Sequence, residues 1–201
     1  MQDRFEQVEV QSRAELRGWL AENFERKESV WLVTYKKSVP EKYVSYDEIV
    51  EEVICFGWID SRPAKLDEER SMLLISPRKR TSKWSKVNKD RVEKLEKLGL
   101  LLPPGIAKIE QAKRDGTWNA LDEVESLSLP DDLVACLEAE PSARANFDAF
   151  PRSARRGILE WILNAKGAGT RQKRVQLTAI MAAENLRANF PGEKEKLKRR
   201  L

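Results

Sequence analysis

The residues from Ile75 to Arg91 concentrate positive charge in a short stretch. This stretch, ISPRKRTSKWSKVNKDR, holds seven Lys or Arg residues and one acid, a net charge of +6 in a chain whose total is +4. If Ser85 caps a helix here, unpaired backbone N–H groups and the positive end of the helix dipole lie beside these side chains. A phosphate or carboxylate would be attracted there, and Trp84 offers a face for stacking a base.

Two interpretations of this stretch are open. In the first, Arg78, Lys83, Trp84, Ser85 and Asn88 belong to a binding site for an anion. In the second, Trp84 packs into the core, Ser85 and Asn88 only satisfy the helix start, and the lysines are solvated.

The segment GWIDSR supplies a second set of candidates. On a strand, Trp58, Asp60 and Arg62 share one face, and Arg70 can lie opposite them on the neighbouring strand. Asp60 would then orient Arg62 or Arg70, and the arginine would grip a carboxylate or phosphate through two hydrogen bonds. The alternative is a structural salt bridge beside a packed tryptophan. If the hairpin brings Arg70 and Arg78 to the same side, the two sets form one site.

The absence of histidine restricts the chemistry. It excludes Ser-His-Asp and Cys-His nucleophiles, His general bases and His-containing zinc sites. The two cysteines are too few for a thiolate metal cluster, and nothing near Cys55 would lower its pKa, so we expect a buried structural thiol. We therefore predict no catalytic residue, no metal site and no cofactor, although carboxylates, Lys and Tyr leave an enzyme open.

Composition indicates a globular protein with a tryptophan-anchored core. Six Trp and six Phe residues accompany a charged fraction of 35%. No apolar run approaches the roughly 18 residues that a membrane span needs, and the first residues lack the apolar centre of a signal peptide. Two cysteines far apart in sequence fit free thiols better than a disulfide, which predicts a cytoplasmic location.

Short motifs predict the elements that position the candidate residues. Capping boxes at Ser12 and Ser45 predict two helix starts, and an alternating run at 29–37 predicts a strand. Strands at 58–62 and 70–76 follow, with Pro63 requiring an edge strand or a bulge. The acids of the second helix, namely Asp47, Glu48, Glu51 and Glu52, fit its first turn and its exposed face.

From residue 130 onward every periodic segment is helical. The sequence therefore predicts an α+β fold, in which a small, mostly antiparallel sheet packed with helices precedes a C-terminal helical module. We place the α+β domain at residues 1–128, with the basic segment at 78–91. The helical module then occupies residues 129–201 and ends in a charged tail.

At this point two phrases resemble a known family. SYDEIVEEVICFGWIDSR and LDEERSMLLISPRKRTSKWSKVNKDRVEKL are similar to the YdeI/OmpD-associated family, the bacteriocin-protection proteins. The likeness spans about residues 12–188 and is most specific from Phe56 to Asn88. It implies a role in bacterial stress and antimicrobial tolerance, a helical module named for OmpD association, and no catalytic residue. The Gly-Ala-Gly of NAKGAGTRQKR departs from the more charged or Pro-containing linker expected there.

Together these observations predict a cytoplasmic, non-enzymatic protein that binds an anionic small molecule or acidic partner through the region from Arg62 to Arg91. A nucleic-acid-binding protein is an alternative, because the isoelectric point is near 9.0. An enzyme that uses Asp60 with an arginine clamp on a small anionic substrate is another. The helical module could also act as a protein-binding adaptor, and none of these alternatives specifies an oligomeric state.

Overall fold

The computed structural model describes residues 5–200, apart from the side chain of Arg200. The chain divides between Ala120 and Leu121 into two compact units. The fold is α+β, as predicted, with a sheet in the first unit and helices alone in the described part of the second. The predicted division at residues 128 and 129 stays a prediction. None of the described helices is both long and apolar enough to cross a membrane.

In its described residues, the first unit combines four strands with four α-helices. The strands form a sheet in the order β1-β2-β4-β3, in which β1 and β2 are parallel and the other pairs antiparallel. The elements are β1 (Gln7–Glu9), α1 (Arg13–Asn23), β2 (Val30–Tyr35), α2 (Tyr46–Cys55), β3 (Trp58–Lys65), β4 (Arg70–Pro77), α3 (Lys86–Lys97) and α4 (Pro103–Arg114). The three-residue strand β1 was not predicted, because it is too short to show a period.

Local capping explains where three of these helices begin. The hydroxyl of Ser12 accepts from the Glu15 N–H, and that of Ser85 accepts from the Asn88 N–H. Ser45 and Glu48 form the complete reciprocal box at the start of α2. All three predicted helix starts are confirmed, since each depends on residues within one turn.

A bulge in the edge strand β3 changes which side chains share a face. The register with β4 shifts between Asp60 and Pro63, so the predicted edge strand and bulge are confirmed. The guanidinium of Arg62 lies 5.7 Å from the ring of Trp31, in a cluster separate from the main core that holds Trp58. The prediction that Trp58, Asp60 and Arg62 share one face is therefore wrong for Arg62, because an inserted residue reverses the alternation.

Helix α4 packs closely against the end of α2 because two residues at this contact, Gly57 and Gly105, are glycines. A Cβ on Gly105 would lie 2.5 Å from the carbonyl oxygen of Cys55. Gly57 has φ +73°, and a Cβ on it would lie 2.9 Å from the carbonyl oxygen of Pro104. Only residues without a side chain allow this approach, and it fixes α4 beside the turn that leads into β3.

A buried charge network joins three helices of the first unit. Glu52, with 1% of its surface exposed, accepts hydrogen bonds from Arg13 and Arg17 of α1. Glu51 pairs with Arg13 and with Lys94 of α3. The prediction that Glu51 and Glu52 lie on the exposed face of α2 is wrong, because cations from the neighbouring helices compensate their burial.

The described part of the second unit consists of helices around a core of its own. They are α5 (Asp122–Glu125), α6 (Asp131–Ala139), α7 (Ala143–Ala149), α8 (Arg152–Leu163), α9 (Ala168–Ala183) and α10 (Glu193–Arg200). Leu133, Leu137, Phe147 and Ile158 are fully buried in this core.

Candidate functional site

The hairpin candidates do not assemble as predicted. Trp58 is fully buried, and its indole N–H donates to the carbonyl oxygen of Phe24. Asp60 accepts a hydrogen bond from the hydroxyl of Tyr46 at 2.7 Å. Arg70 binds the carboxylate of Asp67, in the turn between β3 and β4, and that of Glu9, at the end of β1. The prediction that Asp60 orients Arg70 is therefore wrong.

Arg70 and Arg78 lie at opposite ends of the same strand. Arg70 begins β4 and Arg78 follows its last residue. Eight residues at about 3.3 Å each separate them by roughly 25 Å. The prediction that both arginines join one site is wrong, because an eight-residue strand keeps its ends apart.

The residues from Arg78 to Asn88, by contrast, do come together. The guanidinium carbon of Arg78 lies 3.6 Å from the ring centroid of Trp84, and Nη1 donates to the carbonyl oxygen of Lys83. Ser85 and Asn88 form the start of α3 beside them. Trp84 is 1% exposed and packs into the core, as the second interpretation of this stretch predicted.

Arg78 itself fits neither a solvated loop nor an ordinary ion pair. The residue is 3% exposed, and its Nε and Nη2 have no hydrogen-bond partner in the described part of the chain. Burial lowers the pKa of this guanidinium to about 10, and the negative charge of Asp60 offsets only part of that effect. A buried cation with unsatisfied donors destabilises a fold by a few kcal/mol, so this arrangement calls for a compensating group.

Other cations of the basic segment are paired within the first unit. Arg80 binds both oxygens of Asp115, Lys86 binds Asp90, and Arg91 binds Asp47. Much of the net charge read from the sequence is therefore neutralised locally. Positive charge that is open to a ligand must come from other residues.

An open cleft of about 600 Å³ provides such residues. It is bounded by the end of α1, the turn between α2 and β3, the end of β4 and the start of α4. Five cations and one acid line it, together with apolar side chains. The lining residues are Phe24, Glu25, Arg26, Lys27, Phe56, Gly57, Pro77, Arg78, Lys79, Pro104, Ala107 and Lys108.

The cations of the cleft differ in how far they are already compensated. Arg26 binds Glu6. Within residues 5–200, Lys27, Lys79 and Lys108 have no ion pair, and Arg78 has none either. These four residues therefore provide unbalanced positive charge around an apolar-walled cleft.

Sequence patterns did not identify the lysines contributed by other elements. Lys27 follows α1 and Lys108 lies in α4, and both are far from the basic segment in sequence. Only the packing of α4 against α2 brings Lys108 to the cleft, where its Cγ would meet a Cβ on Gly57. Gly57 and Gly105 are local signals of that packing in the sequence.

A second, much smaller cavity of about 10 Å³ lies behind the basic segment. Arg78, Trp84 and Thr117 all line it. Of six buried polar side-chain atoms without a partner in the described residues, four belong to these three side chains: Nε and Nη2 of Arg78, Nε1 of Trp84 and Oγ1 of Thr117. Unsatisfied polar atoms of the described chain thus cluster in one place.

The described residues provide no activated nucleophile at the cleft. Cys55 is fully buried, and desolvation raises the pKa of its thiol to about 11. This confirms the predicted buried thiol. Within residues 5–200, no group of three or more Cys, Asp or Glu side chains is placed to hold a metal ion.

Two protein-family models match the chain. Residues 8–108 match the model described as a domain of unknown function, DUF8412. Residues 126–185 match the model described as bacteriocin-protection, YdeI or OmpD-associated. The chain belongs to the DUF8412 family, whose model spans half of it. The second match supports the resemblance to the YdeI/OmpD-associated family for residues 126–185.

The two matches divide the resemblance seen in the sequence. The YdeI/OmpD-associated match covers helices of the second unit, whereas the phrases from Phe56 to Asn88 fall within the DUF8412 match. Every residue that lines the 600 Å³ cleft also lies within residues 8–108. No curated protein and no solved structure matches the chain.

Proposed function

We propose that this protein binds a small organic anion with an apolar body in the 600 Å³ cleft and carries out no chemistry on it. The observation that supports the proposal most is Arg78, a residue that lines the cleft and whose buried guanidinium has no carboxylate partner among the described residues. Its positive charge is poorly screened there, because protein rather than water surrounds it.

The size and the walls of the cleft support a ligand of metabolite size. Pockets for small molecules typically enclose about 300–1,000 Å³ and are lined by apolar side chains with a few polar groups. Phe24, Phe56 and Pro104 supply apolar surface, while Lys27 and Lys79 supply charge. A ligand with a carboxylate, sulfonate or phosphate group attached to an apolar ring or chain would match both the charge and the apolar surface of the cleft.

The cellular role in this proposal comes from the family description. The family matched by residues 126–185 is described as bacteriocin-protection, which supports a role in antimicrobial tolerance and stress for this chain as well. The cysteines Cys55 and Cys136 form no disulfide, which supports the cytoplasm as the site of action. Under this proposal, the protein contributes to tolerance by binding the anion.

Binding to nucleic acid is a weaker alternative. Contacts with a phosphate backbone require several cations that face solvent along a line. In the basic segment, however, Arg80 and Arg91 are paired with carboxylates and Arg78 is buried. The remaining charge favours a compact anion over an extended polymer.

Fluorescence titration with 8-anilinonaphthalene-1-sulfonate tests the proposal. N-phenyl-1-naphthylamine, which has the same rings and no sulfonate, serves as the neutral control. We expect the sulfonate to bind more tightly, and Lys79→Glu to weaken it about tenfold, since reversing a charge near a bound anion changes the binding free energy by roughly 1.4 kcal/mol. Lys173→Glu, an equal charge change on an exposed residue of the second unit, is the matched control and should have little effect.

Equal affinity for the two probes, or equal loss in the two variants, would rule out an anion site in the cleft. A labelled single-stranded oligonucleotide should bind weakly at moderate salt. Tight, steeply salt-dependent oligonucleotide binding that Lys79→Glu abolishes would favour the nucleic-acid alternative.

A further inference from the structure

Three residues that line the cavity behind the basic segment carry buried polar atoms without a hydrogen-bond partner in the described chain. Nε and Nη2 of Arg78 and Nε1 of Trp84 are donors only, and the hydroxyl of Thr117 can donate as well. Both Arg78 and Trp84 are more than nine-tenths buried. We propose that this cavity is a binding site for a monatomic anion, with chloride as its physiological occupant.

The charge around the cavity favours an anion over water. Lys79 and Lys108 line it along with Arg78, and none of its lining residues is an Asp or Glu. Arg80 lines it as well, but its charge is paired with Asp115. A water molecule accepts about two hydrogen bonds and must donate two, whereas the three buried nitrogens of Arg78 and Trp84 only donate. A halide accepts from several donors at once and neutralises the buried guanidinium.

The size of the cavity selects the class of anion. A volume of about 10 Å³ is close to that of a single water-sized particle. Phosphate, sulfate and carboxylate groups have several heavy atoms and do not fit. The halide site is thus distinct from the 600 Å³ cleft, although Arg78 lines both.

Chloride binding can be measured directly by the excess line width of the ³⁵Cl NMR signal in the presence of the full-length protein. Thr117→Val removes one donor while preserving shape, and Trp84→Phe removes another. We expect the excess line width to fall at least threefold in each variant. Thr170→Val, on an exposed residue of α9, is the matched control and should retain the wild-type width.

Competition separates this site from diffuse binding to surface lysines. Bromide should displace the bound chloride, whereas gluconate at the same ionic strength should not, because gluconate is too large for the cavity. Equal line widths in wild type, Thr117→Val and Trp84→Phe would overturn the proposal, and so would displacement by gluconate. Circular dichroism of each variant excludes loss of fold as the cause of any decrease.

The line-width comparison contains no organic anion with an apolar body, because gluconate is polar throughout, so its result is independent of the proposed function. One consequence does rest on that function: a chloride beside Arg78 would weaken binding of the organic anion. The affinity for 8-anilinonaphthalene-1-sulfonate should then be lower in chloride than in gluconate for wild type, and the same in both salts for Thr117→Val. A difference that persists in Thr117→Val would refute this coupling and leave the halide site to be decided by the NMR result.

Discussion

Replacing Gly105 with alanine tests the packing that builds the cleft. A Cβ at this position would lie 2.5 Å from the Cys55 carbonyl oxygen and 2.6 Å from that of Ile54. Ordinary contacts begin near 3.4 Å, so α4 must move by about 0.9 Å or the end of α2 must distort. Both obstacles are backbone atoms, which cannot rotate away as a side chain would.

The expected cost follows from known effects of overpacking. Extra methyl groups in a well-packed interior destabilise by about 1–3 kcal/mol. Gly18 provides the matched control, because it is exposed in the middle of α1 and a Cβ there meets nothing within 4 Å. Gly18→Ala should stabilise by roughly 0.5–1 kcal/mol, since alanine has the higher helix propensity. The same chemical change therefore has opposite signs at the two sites.

Urea denaturation followed by tryptophan fluorescence measures both effects. Five of the six tryptophans lie in the first unit, so this signal reports mainly on the part that contains the substitutions. Gly105→Ala should lower the transition midpoint and Gly18→Ala should raise it. A Gly105→Ala protein as stable as wild type would refute the close packing of α4 on α2.

Three further predictions concern local groups. Hydrogen bonds from the hydroxyl and N–H of Ser45 lower the pKa of Glu48 below its usual 4.5, so they stabilise the fold above that pH. The stability difference between wild type and Glu48→Gln should be roughly 0.5–1 kcal/mol at pH 7 and should vanish as the pH falls through the folded-state pKa, in urea titrations at each pH. A difference that grows on acidification would contradict this. Ser85→Ala should lower the free energy of unfolding by about 1 kcal/mol, since the Asn88 N–H loses its acceptor; an unchanged urea midpoint would argue against the cap. The thiol of Cys55, with a pKa raised to about 11, should resist Ellman's reagent at pH 8 in the native protein while Cys136 reacts. Two equivalents of reaction before unfolding would disprove its burial.

Features that depend on neighbouring residues in sequence were predictable. Each capping serine and the acid or amide three residues later define a helix start without help from the rest of the chain. Pro63 likewise indicated an edge strand with a bulge, because proline cannot donate to a ladder. The contact between Trp84 and Arg78 is local as well, because the two residues lie only six positions apart in the sequence.

Features that depend on tertiary packing were not predictable. The bulge places Arg62 on the opposite face of the sheet from Trp58. This placement follows from the register between β3 and β4, which the sequence of β3 alone does not show. The burial of Glu52 depends on arginines from α1, which no pattern within α2 reveals. Lys108 and Thr117 reach the basic segment only because α4 packs on α2. Residues that converge from distant segments therefore carry no signal in a single sequence.

Lysine reactivity in the presence of a bound anion tests the central claim most directly. The protein would be reductively methylated with and without saturating 8-anilinonaphthalene-1-sulfonate, and the modification of each lysine quantified by mass spectrometry. We predict at least threefold protection of Lys27, Lys79 and Lys108, with Lys173 unchanged. Fluorescence-detected binding without protection of these three lysines, or with protection of Lys173 instead, would contradict an anion site in the cleft.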